Sequence, residues 1–267
     1  MDMNSWTRRV GKACLWVIGR VPHAVLAIID AHIVRKTGNL PLFPVERLTW
    51  REEVEAAYPE IREEVARLST HLTHVPTVHD ILPMTHLSYS ERDWRQLFFH
   101  LYGSWIDDNC ERYPTVARTL RLIPGLRNAS LSVLRPGETI PPHEHIYKGF
   151  LIFHLPIIVP TDGDCAIRIA DETVRWKEGE LIAIDPTQNH EVWNNTSAYR
   201  VLLLGEFSRP GLPSWYQWLD RFYMAVFNLS PAGKVMLRRI RESAAKHRAE
   251  LDEESSPDAT TVGSSPA

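Results

Sequence analysis

Short β-type segments separated by turn sequences fill residues 129–206, and this pattern constrains the fold more than any other feature of the chain. Turn-forming stretches such as Pro136-Gly137-Glu138 and Lys177-Glu178-Gly179 divide the apolar runs. Many short strands at such regular spacing are typical of a β-sandwich or β-barrel. We therefore predict a mainly β domain, with strands at 130–135, 148–159, 165–170, 172–176, 181–184, 191–194 and 198–206.

Helices are expected on both sides of this block. Between Thr49 and Leu68, apolar residues recur at spacings of three and four with Glu and Arg between them, which predicts one amphipathic helix over 49–68. A strand is predicted at 94–102, and a helix at 113–122 is expected to end before Pro124.

The C-terminal part of the chain is predicted to be helical after Pro213. A second helix begins at Ser230-Pro231 and is rich in Lys and Arg. The predicted organisation is a helical segment 1–38, a domain 39–228, a basic helix 229–249 and a disordered acidic tail 250–267. The first of the two helices carries an apolar stripe that we expect to pack in the core, with contact to a membrane or a ligand as the less favoured alternative. This stripe consists of Trp215, Trp218, Leu219, Phe222, Tyr223 and Val226.

The N-terminal segment combines cations with a long apolar run. Arg8, Arg9 and Lys12 precede the run at 13–34, which Arg20 and other polar residues interrupt. Each charge at the centre of a bilayer costs about 2.5–3.5 kcal/mol on insertion scales, so a membrane span is the least favoured interpretation. A segment lying on a membrane surface and a helix packed on the main domain are equal alternatives.

Charge and cysteine content exclude several classes of protein. Lys and Arg number 30 against 33 Asp and Glu, so no overall field favours nucleic acid, and none is expected as a partner. Cys14, Cys110 and Cys165 are far apart, which argues against a disulfide framework and a thiolate zinc cluster. We expect a cytoplasmic protein, membrane-associated if its N-terminal segment lies on a bilayer.

Histidines in the β-rich block have a spacing that suits a metal site. On an extended chain His143 and His145 point to one side and Glu144 to the other. His190, on a later strand, can meet them across the mouth of a barrel. Two imidazoles and a third ligand on one side of Fe(II) leave positions open for a cosubstrate and O2. The competing interpretation is that these histidines are exposed loop and turn residues.

Arg200 and His154 interrupt strands that are otherwise apolar. Arginine has no packing role in such a strand, and a buried guanidinium needs an anionic partner. Beside a triplet of metal-ligating type, the two groups would suit a dicarboxylate such as 2-oxoglutarate.

Sequence blocks in a specific order extend over about residues 80–210. They include W-R-Q-L-F-F-H-L-Y-G, S-V-L-R-P-G-E-T-I-P-P-H, H-L-P-I-I-V-P and N-H-E-V-W-N-N-T-S-A-Y-R-V-L-L-L. This order resembles the aspartyl/asparaginyl β-hydroxylase family, to which bacterial lipid A hydroxylases also belong. The resemblance implies a double-stranded β-helix, which is a cupin-like jelly roll, and a dioxygenase that uses Fe(II), 2-oxoglutarate and O2.

The resemblance also implies roles for individual residues. His143 and His190 match the two iron ligands of the family. Arg200 matches the arginine that pairs with the distal carboxylate of 2-oxoglutarate, while His154 and Ser132 match further contacts with this cosubstrate.

Two positions depart from the family pattern. Family members have an aspartate or no protein ligand where this chain has His145, so His145 is either a third metal ligand or turned away. An arginine that contacts the cosubstrate in the family is replaced by Ile152. Lys148 lies four residues earlier and is either a substitute cation or a residue exposed in the turn.

The favoured function is hydroxylation by a 2-oxoglutarate-dependent dioxygenase. Its substrate could be an Asp or Asn side chain in a peptide, a free amino acid, or a lipid acyl chain. One alternative is a cupin-type dioxygenase in which three histidines bind the metal and 2-oxoglutarate is not used. Another is a non-catalytic binding member of the family. Metal content and dependence on 2-oxoglutarate distinguish these functions.

Overall fold

Two antiparallel sheets form the centre of the molecule in a computed structural model that describes residues 23–66, 75–81, 94–145 and 147–254. The strands are β1 (Trp94–Leu101), β2 (Ser104–Trp105), β3 (Leu126–Leu134), β4 (Thr139–His143), β5 (Phe150–Ile158), β6 (Asp164–Ile169), β7 (Glu172–Arg175), β8 (Ile182–Ile184), β9 (His190–Asn195) and β10 (Arg200–Ser208). The larger sheet has the order β2-β1-β3-β10-β5-β8, and the smaller has the order β4-β9-β6-β7. This arrangement is a double-stranded β-helix, so the predicted fold is confirmed.

The larger sheet is buried on both faces, which explains its long apolar strands. On β5, Leu151, Phe153 and Leu155 belong to a core on the outer side of the sheet. Phe150 and Ile152 point the other way, into a second core between the two sheets. Polar residues at inward positions of this sheet therefore lie inside the barrel.

In the described part of the chain, helices cover the outer core and flank the strands on both sides in sequence. They are α1 (His23–Thr37), α2 (Arg51–Ala56), α3 (Tyr58–Ala66), α4 (Val78–Ile81), α5 (Asp107–Arg112), α6 (Pro114–Leu120), α7 (Ser214–Leu229) and α8 (Pro231–Glu254). Residues of α2, α3 and α6, including Val54, Ile61 and Leu120, pack against the larger sheet.

The single helix predicted over 49–68 is instead the pair α2 and α3. Proline has no backbone N–H, so Pro59 cannot donate to the carbonyl of Glu55, and the helical hydrogen bonding breaks at Ala57. The last residues of the predicted helix lie outside the described part of the chain.

Strand β4 was not among the predicted strands. It contains Pro141 and Pro142, which cannot donate to a neighbouring strand. β4 lies at the edge of the smaller sheet, where one side of the strand has no neighbour to bond with, so prolines are tolerated there. β4 carries His143 at its last position, so this edge strand determines where the first histidine lies.

The described part of the N-terminal segment packs on the domain. Ile33 of α1 is buried against Leu212 and Tyr216, and Asp30 accepts a hydrogen bond from the backbone N–H of Lys148 at 3.1 Å. Residues 1–22 lie outside the described part. Among the described helices, none is long and apolar enough to cross a membrane.

The C-terminal helix is longer than predicted. It continues to Glu254, so residues 250–254 of the predicted disordered tail are helical, and the remainder lies outside the described residues. Leu251 is buried, and Asp252 forms an ion pair with Arg112 of α5 at 3.1 Å. These contacts account for the additional helical turn.

The apolar stripe on α7 faces solvent, so the prediction that it packs in the core was wrong. The predicted stripe residues are between 39% and 66% exposed. At spacings of four, α7 instead buries Tyr216, Asp220 and Met224. Asp220 forms a buried ion pair with Arg127 of β3, and this polar contact anchors the helix to the sheet.

Candidate metal and cosubstrate site

Three histidines converge where the smaller sheet meets the loop after β4. His143 ends β4 and is paired directly with His190, the first residue of β9. One ring nitrogen from each of His143, His145 and His190 lies within 4.8 Å of the others. This spacing is close enough for one metal ion to contact all three side chains.

Backbone carbonyls orient two of the three imidazoles. His143 donates from Nδ1 to the carbonyl oxygen of Pro141 at 2.9 Å, and His190 donates from Nδ1 to that of Gln188 at 2.8 Å. With the proton on Nδ1, Nε2 keeps its lone pair for a metal. Second contacts of this kind are typical of metal-ligating histidines.

Burial keeps the histidines neutral. Loss of solvent lowers the pKa of His145 and of His190 to about 4, and it also lowers the pKa of His143. The neutral imidazole is the form that binds a metal ion, so no proton has to leave these rings at neutral pH. The donor set therefore fits a divalent transition metal.

His145 lies beside the other two histidines, while Glu144 turns outward. The backbone N–H of His145 donates to the carbonyl oxygen of Pro186 at 2.8 Å, which ties the loop after β4 to the loop before β9. Glu144 is exposed and accepts a hydrogen bond from Asn189 at 3.3 Å. A third protein donor at this site is therefore an imidazole rather than a carboxylate.

A cavity of about 510 Å³ extends from the histidines into the barrel. This volume is within the range of small-molecule sites, roughly 300–1,000 Å³. The cavity brings together most of the site residues that the sequence indicated. These are His143, His145, His190, His154, Ser132 and Arg200.

Arg200 is a buried cation inside this cavity. It is 1% exposed, and its Nε and Nη2 have no hydrogen-bond partner among the described residues. Burial lowers the pKa of Arg200 to about 10, so the guanidinium is still charged at neutral pH. A buried guanidinium with unmade hydrogen bonds destabilises the folded protein unless an anion binds to it. A carboxylate matches the geometry of its N–H groups.

His154 and Ser132 supply neutral hydrogen-bond donors near this cation. Trp176 donates from Nε1 to Nδ1 of His154 at 3.3 Å, which places the His154 proton on Nε2. Burial lowers the pKa of His154 to about 3, with the nearby Arg200 charge as the second cause. The hydroxyl of Ser132 accepts from Nε1 of Trp94 at 3.0 Å and keeps its own proton for another acceptor.

Trp94 and Trp176 are the site residues that the sequence did not reveal. Each uses its indole N–H to fix a polar residue of the cavity, and the ring of Trp176 also lies 5.2 Å from Cζ of Arg200. In the sequence both look like ordinary apolar strand residues. Only their hydrogen bonds distinguish them, from Trp94 to the neighbouring strand β3 and from Trp176 to β5 of the other sheet.

Lys148 lies outside the cavity, contrary to its assignment as a cosubstrate contact. It precedes β5 rather than belonging to it, and its ammonium binds Asp185 at 3.3 Å and Thr187 at 2.5 Å. Asp185 also binds Arg209 at 2.5 Å. Ile152 presents an apolar side chain to the cavity, so Arg200 is the one Lys or Arg among the described lining residues.

The end of the cavity remote from Arg200 is mainly apolar. Its one carboxylate is Glu206 on β10, and burial raises the pKa of this group. Arg127 approaches Glu206 at 3.5 Å while it also pairs with Asp220. The apolar walls include Phe98, Leu101, Phe150, Leu204 and Met236.

Comparison with known proteins identifies relatives over the same region. Residues 55–210 match a family model described as aspartyl/asparaginyl beta-hydroxylase. An ornithine lipid ester-linked acyl 2-hydroxylase of Rhizobium tropici is 32% identical over 176 residues, which are 66% of this chain and 63% of that protein. The human aspartyl/asparaginyl beta-hydroxylase is 30% identical over 125 residues, 45% of this chain and 16% of that protein. The match thus spans less than two thirds of either relative.

Among solved structures, a Cupin 2 conserved barrel domain protein from Salinispora arenicola aligns with 51% of this chain and 86% of its own, at 13% identity and a TM-score of 0.31.

Proposed function

Because the chain belongs to the aspartyl/asparaginyl β-hydroxylase family, we propose that it is a hydroxylase that uses Fe(II), 2-oxoglutarate and O2. One observation carries this proposal. A triplet of neutral histidines and an unsatisfied buried arginine line the same cavity. The first suits a divalent metal, and the second suits the anionic end of a small dicarboxylate.

The residues of the cavity divide into two groups. His143 and His190 would hold Fe(II) through Nε2, with His145 as the third donor. Arg200 would pair with the distal carboxylate of 2-oxoglutarate, to which His154 donates from Nε2 and Ser132 from its hydroxyl. When bound, iron with O2 and this cosubstrate supplies the oxidising chemistry that side chains cannot perform.

The protein's own contribution is orientation and exclusion of water. The hydrogen bonds of Trp176 and Trp94 fix the proton positions of His154 and Ser132 before any ligand arrives. The buried guanidinium of Arg200 is not solvated, so its attraction to a carboxylate is stronger than in water. These features hold a dicarboxylate in one orientation relative to the histidines.

The apolar end of the cavity favours a lipid acyl chain as substrate. Its walls of Phe, Leu and Met side chains can bury methylene groups, at about 0.8 kcal/mol each. The Rhizobium relative, whose name describes an acyl hydroxylase, is consistent with this choice. An Asp or Asn side chain in a peptide is the competing substrate, as the name of the human relative indicates.

A turnover assay tests the proposal. The iron-loaded protein is incubated with 2-oxoglutarate, O2 and either an ester-linked acyl lipid or an Asp/Asn-containing peptide, and succinate and the mass of the product are measured. We expect succinate and a product 16 mass units heavier with the lipid, the gain of one oxygen atom, and neither with Arg200→Gln. Oxidation that requires iron but not 2-oxoglutarate would indicate the three-histidine cupin chemistry. Iron binding without any turnover would indicate a non-catalytic member.

A further inference from the structure

The exposed face of α7 is a feature of the described residues that the candidate site does not explain. Seven of its residues are large, mainly apolar and exposed. They are Trp215, Trp218, Leu219, Phe222, Tyr223, Val226 and Leu229. At about 100° per residue, these positions fall within an arc of roughly 140° on the helix surface. Monomeric soluble proteins rarely expose contiguous apolar patches of this kind without a binding role.

The aromatic content of this face suits the interface of a bilayer. Trp218 and Phe222 stack with their ring centroids 5.7 Å apart and their planes at 10°, so they form one flat apolar surface. Tryptophan is enriched at membrane–water interfaces because its ring is apolar and its N–H is polar. Arg221 is the exposed charged residue of α7, and it lies roughly 60° outside the apolar arc. An apolar face with aromatic residues is the part of an interfacial helix that enters the bilayer surface.

The next helix adds charge complementarity to anionic headgroups. Lys234, Arg238 and Arg241 are exposed on α8 at spacings of four and three, so they form one basic stripe. The stripe begins five residues after α7 ends. Arg238 has an acidic neighbour in Glu242 at 3.7 Å, and both side chains are 67% exposed, which leaves the pair too solvated to neutralise the stripe.

The N-terminal region connects to the same part of the molecule. Ile33 of α1 contacts Tyr216 in the first turn of α7. The 22 residues before α1, with Arg8, Arg9 and Lys12 followed by an apolar run, are therefore attached through a helix that contacts α7.

From these features we propose that the apolar face of α7 docks on the surface of an anionic phospholipid bilayer, with the basic stripe of α8 at the headgroups. Docking is independent of metal and cosubstrate. It would bring the protein to a membrane whether or not the proposed hydroxylase activity is correct.

Sedimentation of the full-length protein with vesicles tests the docking surface. The vesicles contain phosphatidylcholine with or without phosphatidylglycerol, and no iron or 2-oxoglutarate is added. We expect the unmodified protein to bind the anionic vesicles, and we expect this binding to weaken as salt is added. The variant Trp218→Ser/Phe222→Ser should lose affinity at least about tenfold, because buried apolar area and charge together determine such binding. Both residues are more than half exposed, so the variant should fold normally.

Two further variants make the result specific. Leu122→Ser changes an exposed leucine outside α7 and should bind like the unmodified protein. Lys234→Glu/Arg241→Glu should lose the preference for anionic vesicles. The proposal would be overturned if the unmodified protein did not bind anionic vesicles. It would also be overturned if the α7 variant bound them as tightly as the unmodified protein. It would also be overturned if light scattering showed a dimer that the α7 substitutions dissociate, since a second copy would then cover this face.

Discussion

Protonation and hydrogen bonding of single residues determine how the cavity can bind a dicarboxylate. Arg200 supplies the positive charge, and His154 supplies a donor whose direction depends on Trp176. The indole N–H donates to Nδ1 of His154 and so keeps the His154 proton on the opposite nitrogen, Nε2. The same indole ring lies near the guanidinium of Arg200. Trp176 is therefore a positioning residue for both groups.

Replacing Trp176 by Phe should weaken cosubstrate binding without affecting the metal. The substitution keeps an aromatic ring but removes the donor to His154, a hydrogen bond worth about 0.5–1.5 kcal/mol. We expect the Kd for 2-oxoglutarate to rise about three- to tenfold, and the affinity for Fe(II) to stay the same. Anaerobic calorimetry measures both constants.

Trp193→Phe is the matched control, because the Trp193 indole donates to Asp164 at 2.7 Å and does not line the cavity. If both substitutions weakened 2-oxoglutarate binding equally, the loss of affinity in Trp176→Phe would not be specific to the cavity.

The sequence indicates the polar residues of the site but not the residues that orient them. Arg200 and His154 stand out because charged or polar groups in apolar strands need partners. Trp176 does not, because an aromatic residue at the end of a strand has an adequate explanation in packing alone. Lys148 illustrates the opposite error, since its alignment with the cavity assumed a strand that starts only at Phe150.

A contact from another helix can take the place of the capping residue that a sequence pattern would show. Helix α6 has no side-chain cap from Tyr113, the residue before it. Glu64 of α3 fills this role instead, since its two carboxylate oxygens accept the backbone N–H groups of Thr115 and Val116 at 3.0 Å each. A carboxylate at a helix N-terminus also interacts favourably with the helix dipole. This contact joins two helices that cover the outer core.

Glu64→Gln should lower the free energy of unfolding by about 1 kcal/mol, because the amide keeps one acceptor but loses the charge. Urea denaturation measures the change. Glu60→Gln is the control on the same helix, because Glu60 pairs with Arg118 on the surface, where both side chains are 66% exposed. That substitution should cost less than about 0.5 kcal/mol. A loss at Glu60 as large as the loss at Glu64 would contradict the capping role.

Helix α7 shows why periodicity alone did not determine burial. An apolar stripe at helical spacing indicates that a helix has an apolar face, but not what covers it. The helix is held by Asp220, whose ion pair with Arg127 closes only when the fold brings β3 beside it. Such a long-range polar contact leaves no sign in the local sequence.

For the molecule as a whole, the fold class follows from the sequence more readily than the geometry of the site. The alternation of short strands and turns predicts a β-sandwich or β-barrel, and the resemblance of the sequence blocks to a known family implies the jelly roll. The cavity is lined by residues from several strands of both sheets, among them Ile152, Arg200 and His143, so its shape arises from packing between segments far apart in the chain. The sequence does place His145 on the same side as His143, but the bond of its backbone N–H to the Pro186 carbonyl is a contact between loops that the sequence does not reveal.

Anaerobic titration of the Fe(II)-loaded protein with 2-oxoglutarate tests most directly whether the histidine-bound metal and Arg200 bind the same cosubstrate molecule. Bidentate chelation of the iron produces a weak visible charge-transfer band. We predict that the band develops and saturates at one cosubstrate per chain, that His143→Ala abolishes it, and that Arg200→Gln raises the concentration needed by about tenfold or more. Full iron occupancy without a band, or a titration that Arg200→Gln leaves unchanged, would contradict the assignment of this cavity to 2-oxoglutarate.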